Sequence, residues 1–401
     1  MLKNFNKTNF NNSVTITLLL ISLIIIINNF FRFFQTKTAY QFAPWLNNYQ
    51  GGFVRRGLPG EIFFQIHEIF NIHLGWIVFI FVSFLYLLFY FGFFKLIKGI
   101  KLNKFFVFTI FSPLSVYFPI VNSKATGHKE IIFLCCLIFF CLFLPKIKKS
   151  HAINFLIFIL IFCSLSSEIL LFYFPYLLIP FFIFYKFKNY KEIFFYLLPI
   201  MIIGPSLFLL IYFFKGNEEQ VKAICDSVIL YANANCQDVG KISFLKHNIS
   251  ENILAVGWYT NPNYFKIYIT GFIIGFFPLF ILYKKAQVHT TIINQKIYPL
   301  LLLSLPWILT LPIYYIAADW GRYLYISYLS SLILLIFCLK NKIFTIQEKQ
   351  IEKRNSLFVK ILFVATVIVY AGWAVPICCE NSFTPGILET IEKYYSHISK
   401  I

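Results

Sequence analysis

The residues best placed to do chemistry lie in one stretch, 47–62, NNYQGGFVRRGLPGEI, which holds Arg55, Arg56 and Glu61 among four glycines and a proline. Guanidinium forks match phosphate oxygens, and glycine-freed backbone amides can add further donors to an anion. A carboxylate in a partly desolvated recess can take a proton from a hydroxyl group. Two shorter patches repeat the pattern of an acid beside a base, GHKE at 127–130 with His128, Lys129 and Glu130 and DWGR with Asp319, Trp320 and Arg322, and a third, SE, ends at the lone acid Glu168. Together they suit a reaction in which a hydroxyl attacks and a phosphate departs, its charge held by cations.

What must position them is membrane. The chain has 401 residues, 59% hydrophobic and 13% charged, with 52 Phe. Apolar runs of this length read as transmembrane helices, so the fold class expected is all-α, a polytopic helical bundle. The formal charge of +19 falls largely in short turns between spans. That is the positive-inside pattern, which argues for orientation and against a nucleic-acid partner. The basic N-terminus runs into an apolar segment with no small-residue cleavage site, which reads as a retained signal anchor.

About eleven spans are expected: 14–31, 74–94, 105–121, 131–144, two from 152–185 divided at Glu168, 193–214, 265–283, 298–316, 323–339 and 357–377. The membrane domain is 1–378, with extracytoplasmic loops near 34–73, 122–130, 215–264 and 317–322, and a polar tail at 379–401. With a cytoplasmic N-terminus, the lysine-dense turns 95–104, 146–149, 186–191, 284–296 and 340–354 all lie inside. The division at Glu168 is essential, because a single crossing there would reverse every later turn. Yet 34 residues at ~1.5 Å each give ~51 Å, short of two ~30 Å crossings, which sets Glu168 in a recess below the outer surface. A carboxylate at such a depth is costly and by default functional.

All four patches then lie on the outer side, where Arg55 and Arg56 break the positive-inside tendency. Convergence in one polar cavity is expected, with Arg55, Arg56, Lys129 and Arg322 as phosphate ligands and His128, Glu130 and Trp320 nearby. The competing arrangement is that each pair, Asp319 with Arg322 for example, is a strut tying helix ends together, and for any single pair the two are evenly matched. Tyr40, Trp45, Tyr49, Trp258, Tyr259 and Trp320 suit sugar faces, but most are expected in an interfacial belt. Cysteines 135, 136, 141, 163 and 338 fall in apolar runs, while Cys225 and Cys236 share a hydrophilic loop and could pair in an oxidising compartment. No spacing suggests a metal site, and no cofactor is expected.

GGFVRRGLPGE at 51–61, GHKE at 127–130, SE at 167–168 and DWGR at 319–322 resemble patches of integral membrane proteins from bacterial surface-polysaccharide clusters. More broadly, a long first outer loop with acids in outer loops resembles the GT-C membrane glycosyltransferases. That resemblance implies a GT-C-like fold in the bacterial cytoplasmic membrane and sugar transfer from a polyprenyl-phosphate-linked donor to a glycan or lipid-linked acceptor. It also implies an acid of the first outer loop as base. Residues 34–60 hold no acid, so Glu61 is the first candidate, alongside Asp319 and then Glu168. The alternatives are a polymerase or ligase using a pyrophosphate-linked glycan, and a transporter or flippase.

Overall fold

The computed structural model describes residues 7–35, 42–100, 104–122, 125–185, 187, 189–228, 242–288, 297–346, 370, 372–380 and 382–386. In chain order the helices are α1 (Lys7–Gln35), α2 (Leu58–Phe70), α3 (Leu74–Ile97), α4 (Lys104–Ile110), α5 (Phe118–Val121), α6 (Glu130–Phe143), α7 (Lys149–Ser166) and α8 (Pro175–Phe184). There follow α9 (Tyr190–Phe213), α10 (Glu218–Ser227), α11 (Ile249–Tyr259), α12 (Pro262–Lys285), α13 (Ile297–Ile316) and α14 (Trp320–Lys340). The chain is mostly helical, and seven of these helices are long and apolar enough to cross a membrane: α1, α3, α7, α9, α12, α13 and α14. Most of the expected span at 357–377 lies outside the described residues, as do Tyr40, Cys236 and most of the tail; its last part is corrected, since Trp373–Ala374 is a strand and not helix.

The chain divides into two compact units, one of residues 22–95 with 126–254 and the other of 1–21, 96–125 and 255–401. In the first, α7 ends at Ser166 and the chain restarts at Glu168 as a 3-10 turn, Glu168–Tyr173, that leads into α8. The return is antiparallel, because Tyr185 donates its hydroxyl to Ile147 O at 2.7 Å, beside the start of α7. The division at Glu168 therefore holds. Arithmetic explains how a short tract manages it. The six 3-10 residues climb ~2 Å each and the ten of α8 climb ~1.5 Å each, about 27 Å in all. The eighteen residues of α7 also reach about 27 Å. Helix α6, only fourteen residues, reaches about the same length once the 3-10 turn Leu144–Lys146 is added. Helices α3 and α6 pack closely enough that a Cβ on Gly92 would sit 2.5 Å from Ile138 Cγ2.

The second unit is built around α14, whose residues from Gly321 to Cys338 are all buried. Such a helix, apolar on every side, belongs at the centre of a bundle. Tyr328 donates to Thr109 O and Tyr283 to Ser331 O, each at 2.7 Å, so buried hydroxyls find backbone acceptors. Two short antiparallel pairings complete this unit, Ala286–Val288 with Phe344–Ile346 and Trp373–Ala374 with Thr384–Pro385.

The expected single span 105–121 is not continuous. Helix α4 stops at Ile110, irregular backbone follows, and α5 has four residues. Pro113 has no N–H to continue a helix. Ser112 sends its hydroxyl to Gly275 O at 2.9 Å, and Leu114, Val116 and Phe118 are fully buried. Non-helical backbone at membrane depth is tolerated where protein surrounds it.

Candidate functional site

The first outer loop is held by close approaches. A Cβ on Gly60 would lie 1.9 Å from Asn47 O, one on Gly57 would lie 2.2 Å from the Tyr49 ring, and one on Gly51 would lie 2.8 Å from Gln220 Cα. These glycines let the loop fold onto itself and onto α10. Its amides are committed rather than free. Gly52 N donates to Tyr49 O at 2.9 Å, Arg55 N to Phe214 O at 3.0 Å and Tyr49 N to Glu61 Oε2 at 2.8 Å. These three amides are therefore not available to an anion, two being used within the loop and one on the end of α9.

Helix α2 then begins with Pro59 in its first turn, where a missing N–H costs nothing, and Glu61 near its positive end. Glu61 Oε1 accepts from the exposed Gln65 Nε2 at 2.7 Å. This carboxylate is half-buried, one oxygen tied to the loop and the other at the surface.

Arg56 is the centre of the cluster. It adopts a left-handed backbone, φ 64°, uncommon for a residue with a side chain. Its carbonyl accepts from Lys129 Nζ at 2.7 Å. Its guanidinium meets Glu168 in a two-pronged ion pair, Nε to Oε2 at 2.6 Å and a second bond from NH2 to Oε1. Arg55 NH1 lies 3.6 Å from the same carboxylate. Its NH2 donates to the carbonyls of Phe244, Leu245 and His247 at 3.2, 3.2 and 2.7 Å. Arg55 is therefore as much a tie between loops as an anion ligand.

Charge follows geometry. Burial pushes the Glu168 carboxyl up, and Arg56 with Arg55 reverses that, holding it at about 2. Both its oxygens are taken up by Arg56, which sets it apart from the other base candidates as a paired acid. Burial, helped by Arg56, drives Lys129 down to about 7. Burial also lowers Arg55, against the opposing pull of Glu168. Three basic side chains thus share two acids, Glu168 and the buried Glu130 at the start of α6. His128, expected near the phosphate ligands, is buried, between the left-handed Gly127 and Lys129.

Three of the four patches therefore meet, and they meet at the Ser166 end of α7. The opposite end of α7 carries the basic turn 146–149, where Lys149 pairs with Glu192 at 2.6 Å. Within this unit the arginine cluster and the lysine turn thus lie at opposite ends of α7. Helix α10, which contains Cys225, packs on the arginine side, where Asn48 Nδ2 donates to Ser227 Oγ at 2.9 Å. Cys225 is disulfide-bonded.

The fourth patch belongs to the other unit and is self-contained. Arg322 NH2 pairs with Asp319 Oδ2 at 2.7 Å, one helical turn apart. Gly321 is required there, since a Cβ would fall 1.8 Å from Pro376 O, and its N–H donates to Ile377 O. The strut arrangement holds for this pair. Trp320 donates Nε1–H to Tyr314 O at 2.9 Å, and its ring is edged by Tyr264, Phe265, Tyr268 and Tyr314 at 5.0 to 5.8 Å. Trp320 thus sits in an aromatic cluster of the second unit.

Residues passed over in the sequence also belong to the first cluster. Trp45, expected in the interfacial belt, is fully buried; its Nε1 donates to Gly127 O and Lys129 Nζ lies 5.9 Å over its ring. Tyr86 accepts from Gly127 N at 3.2 Å. Asn47 is fully buried with neither amide atom hydrogen-bonded among the described residues. The signal available for Trp45 was its place just before the polar pair Asn47 and Asn48 in the first outer loop. By contrast Trp258 and Tyr259 are exposed, as a belt requires.

Among the described residues no group of three or more His, Cys, Asp or Glu side chains could hold a metal ion. The fold and this cluster define a helical membrane protein with a buried, cation-rich centre at one end of a helical hairpin. Comparison with known proteins adds no relative, since no family model, curated protein or solved structure matches the chain.

Proposed function

We propose that the chain is a GT-C-like membrane glycosyltransferase of the bacterial cytoplasmic membrane. It moves a sugar from a polyprenyl-phosphate-linked donor to a glycan or lipid-linked acceptor at the extracytoplasmic face. The observation that carries this reading is the convergence of Arg55 and Arg56 on Glu168, with Lys129 on the Arg56 carbonyl, at the end of α7 remote from the basic turn. An excess of cations beside apolar helices suits a phosphate borne on a lipid. In the reaction the acceptor oxygen bonds to the anomeric carbon while the bond from that carbon to the phosphate oxygen breaks. The departing phosphate keeps the electron pair, stabilised by Arg56, and the acceptor proton passes to a carboxylate.

Glu61 takes the proton in this scheme. Glu168 is held ionised by two arginines, Asp319 is committed to Arg322, and Glu61 alone of the three has a surface-facing oxygen tied only to an exposed glutamine. The test is sugar release from a radiolabelled polyprenyl-phosphate donor by purified protein with a glycan acceptor. Glu61→Gln should lower the rate about a hundredfold while leaving donor affinity unchanged. Wild-type rates from Glu61→Gln would remove Glu61 from the reaction.

A further inference from the structure

We infer that Glu168 is a resident counter-ion, occupying the Arg55–Arg56 fork in the ligand-free state and displaced by the terminal phosphate group of the ligand. This rests on the phosphate-site reading above and reverses the usual role of a buried acid near an arginine pair. Both carboxylate oxygens are used by Arg56, and Arg55 NH1 approaches one of them at 3.6 Å. A carboxylate presents two oxygens to a guanidinium much as one edge of a phosphate does. The phosphate and Glu168 therefore compete for the same donors.

The surroundings support exchange rather than a closed strut. Arg56 is fixed from behind, its left-handed backbone braced by Lys129 on the carbonyl, so its guanidinium stays aimed when Glu168 leaves. Arg55 Nε is buried with no hydrogen-bond partner among the described residues, a donor available to an additional oxygen. Two guanidinium groups, Arg55 and Arg56, lie against the one Glu168 carboxylate, so an anion of higher charge suits the same place. Glu168 also begins a 3-10 turn after an extended Ser167, φ −164°, and such turns rearrange more readily than the interior of a helix.

The probes are farnesyl phosphate and inorganic phosphate, titrated by calorimetry into the full-length protein in detergent. Glu168→Gln should bind farnesyl phosphate about tenfold more tightly than wild type, and Arg56→Met should bind it at least tenfold more weakly. Glu168→Asp keeps the charge but shortens the reach; it should tighten binding by a smaller factor, and it decides the matter alone if Glu168→Gln does not accumulate. A parallel gain with inorganic phosphate means that the headgroup suffices, and a gain confined to farnesyl phosphate means that the chain is part of the ligand; either supports the proposal. If wild type, Glu168→Gln and Glu168→Asp bind equally and Arg56→Met weakens them all, the counter-ion role is overturned while the phosphate site stands. If wild type does not bind, or Arg56→Met binds as wild type does, the phosphate-site reading falls and the counter-ion falls with it.

Discussion

Arg56 reaches across 112 residues of sequence to grip Glu168, its Nε 2.6 Å from Oε2, and both side chains are mostly shielded from water. The pair joins the first outer loop to the corner of the α7–α8 hairpin. Around it the loop, the start of α6 and the 244–247 segment are brought to one place.

The left-handed backbone of Arg56 allows its two contributions to be separated. Arg56→Ala loses the ion pair and keeps a side chain where φ is 64°, whereas Arg56→Gly loses the pair but relieves the backbone. Both should lower stability, by about 2 kcal/mol for the pair in a partly exposed setting. Arg56→Gly should nevertheless be the more stable of the two by about 1 kcal/mol, against glycine's usual disadvantage. Thermal melting in one detergent decides the order.

Glycine substitutions should divide sharply by position. Gly60→Ala places a methyl group against the Asn47 carbonyl, backbone on backbone, and should cost at least ~3 kcal/mol or prevent accumulation. Gly204→Ala meets nothing within 4 Å in α9 and should be neutral or stabilising by up to about 1 kcal/mol. Folded yield and melting temperature of the two variants provide the comparison.

Lys129 and Glu168 predict the pH profile. Lys129 titrates at about 7 in the fold against 10.5 when unfolded, so between these values the unfolded chain holds more protons. Stability from this group therefore rises as pH climbs from 7 toward 10.5. Glu168 is pulled to about 2 from 4.5, so its contribution is present above 4.5 and is lost as pH falls toward 2. Lys129→Met should abolish the alkaline rise in melting temperature and leave the acid limb in place. An unchanged alkaline rise in that variant would contradict the assignment.

The cysteines give a chemical check. Cys135, Cys136, Cys141, Cys163 and Cys338 carry free thiols, whereas Cys225, Cys378 and Cys379 are disulfide-bonded. Alkylation of denatured, unreduced protein should mark the first group, and the second should react only after reduction. Mass mapping of Cys225 as a free thiol without reductant would argue against an oxidising environment for its loop.

The hairpin corner at Glu168 was legible in the sequence because lysine-rich turns on either side demanded two crossings, and length alone would have rejected them. What length could not reveal is the 3-10 turn at 168–173, which stretches the same residues further. Helix α2 was passed over as loop, although Pro59, Glu61 and the left-handed Asn71 mark its two ends. Pro113 between two serines was likewise a visible warning that 105–121 would not run through. The roles of the glycines were not visible, since each depends on a neighbour far along the chain. Nor could sequence tell that Glu168 would be spent on Arg56, because an acid poised as a base and an acid paired with arginine are the same letter.

If Arg56 stabilises a departing lipid-linked phosphate, initial rates of sugar transfer at saturating donor and equal folded protein should show transfer by wild type and a loss of a hundredfold or more in Arg56→Met. Transfer by Arg56→Met at the wild-type rate would contradict this role for Arg56.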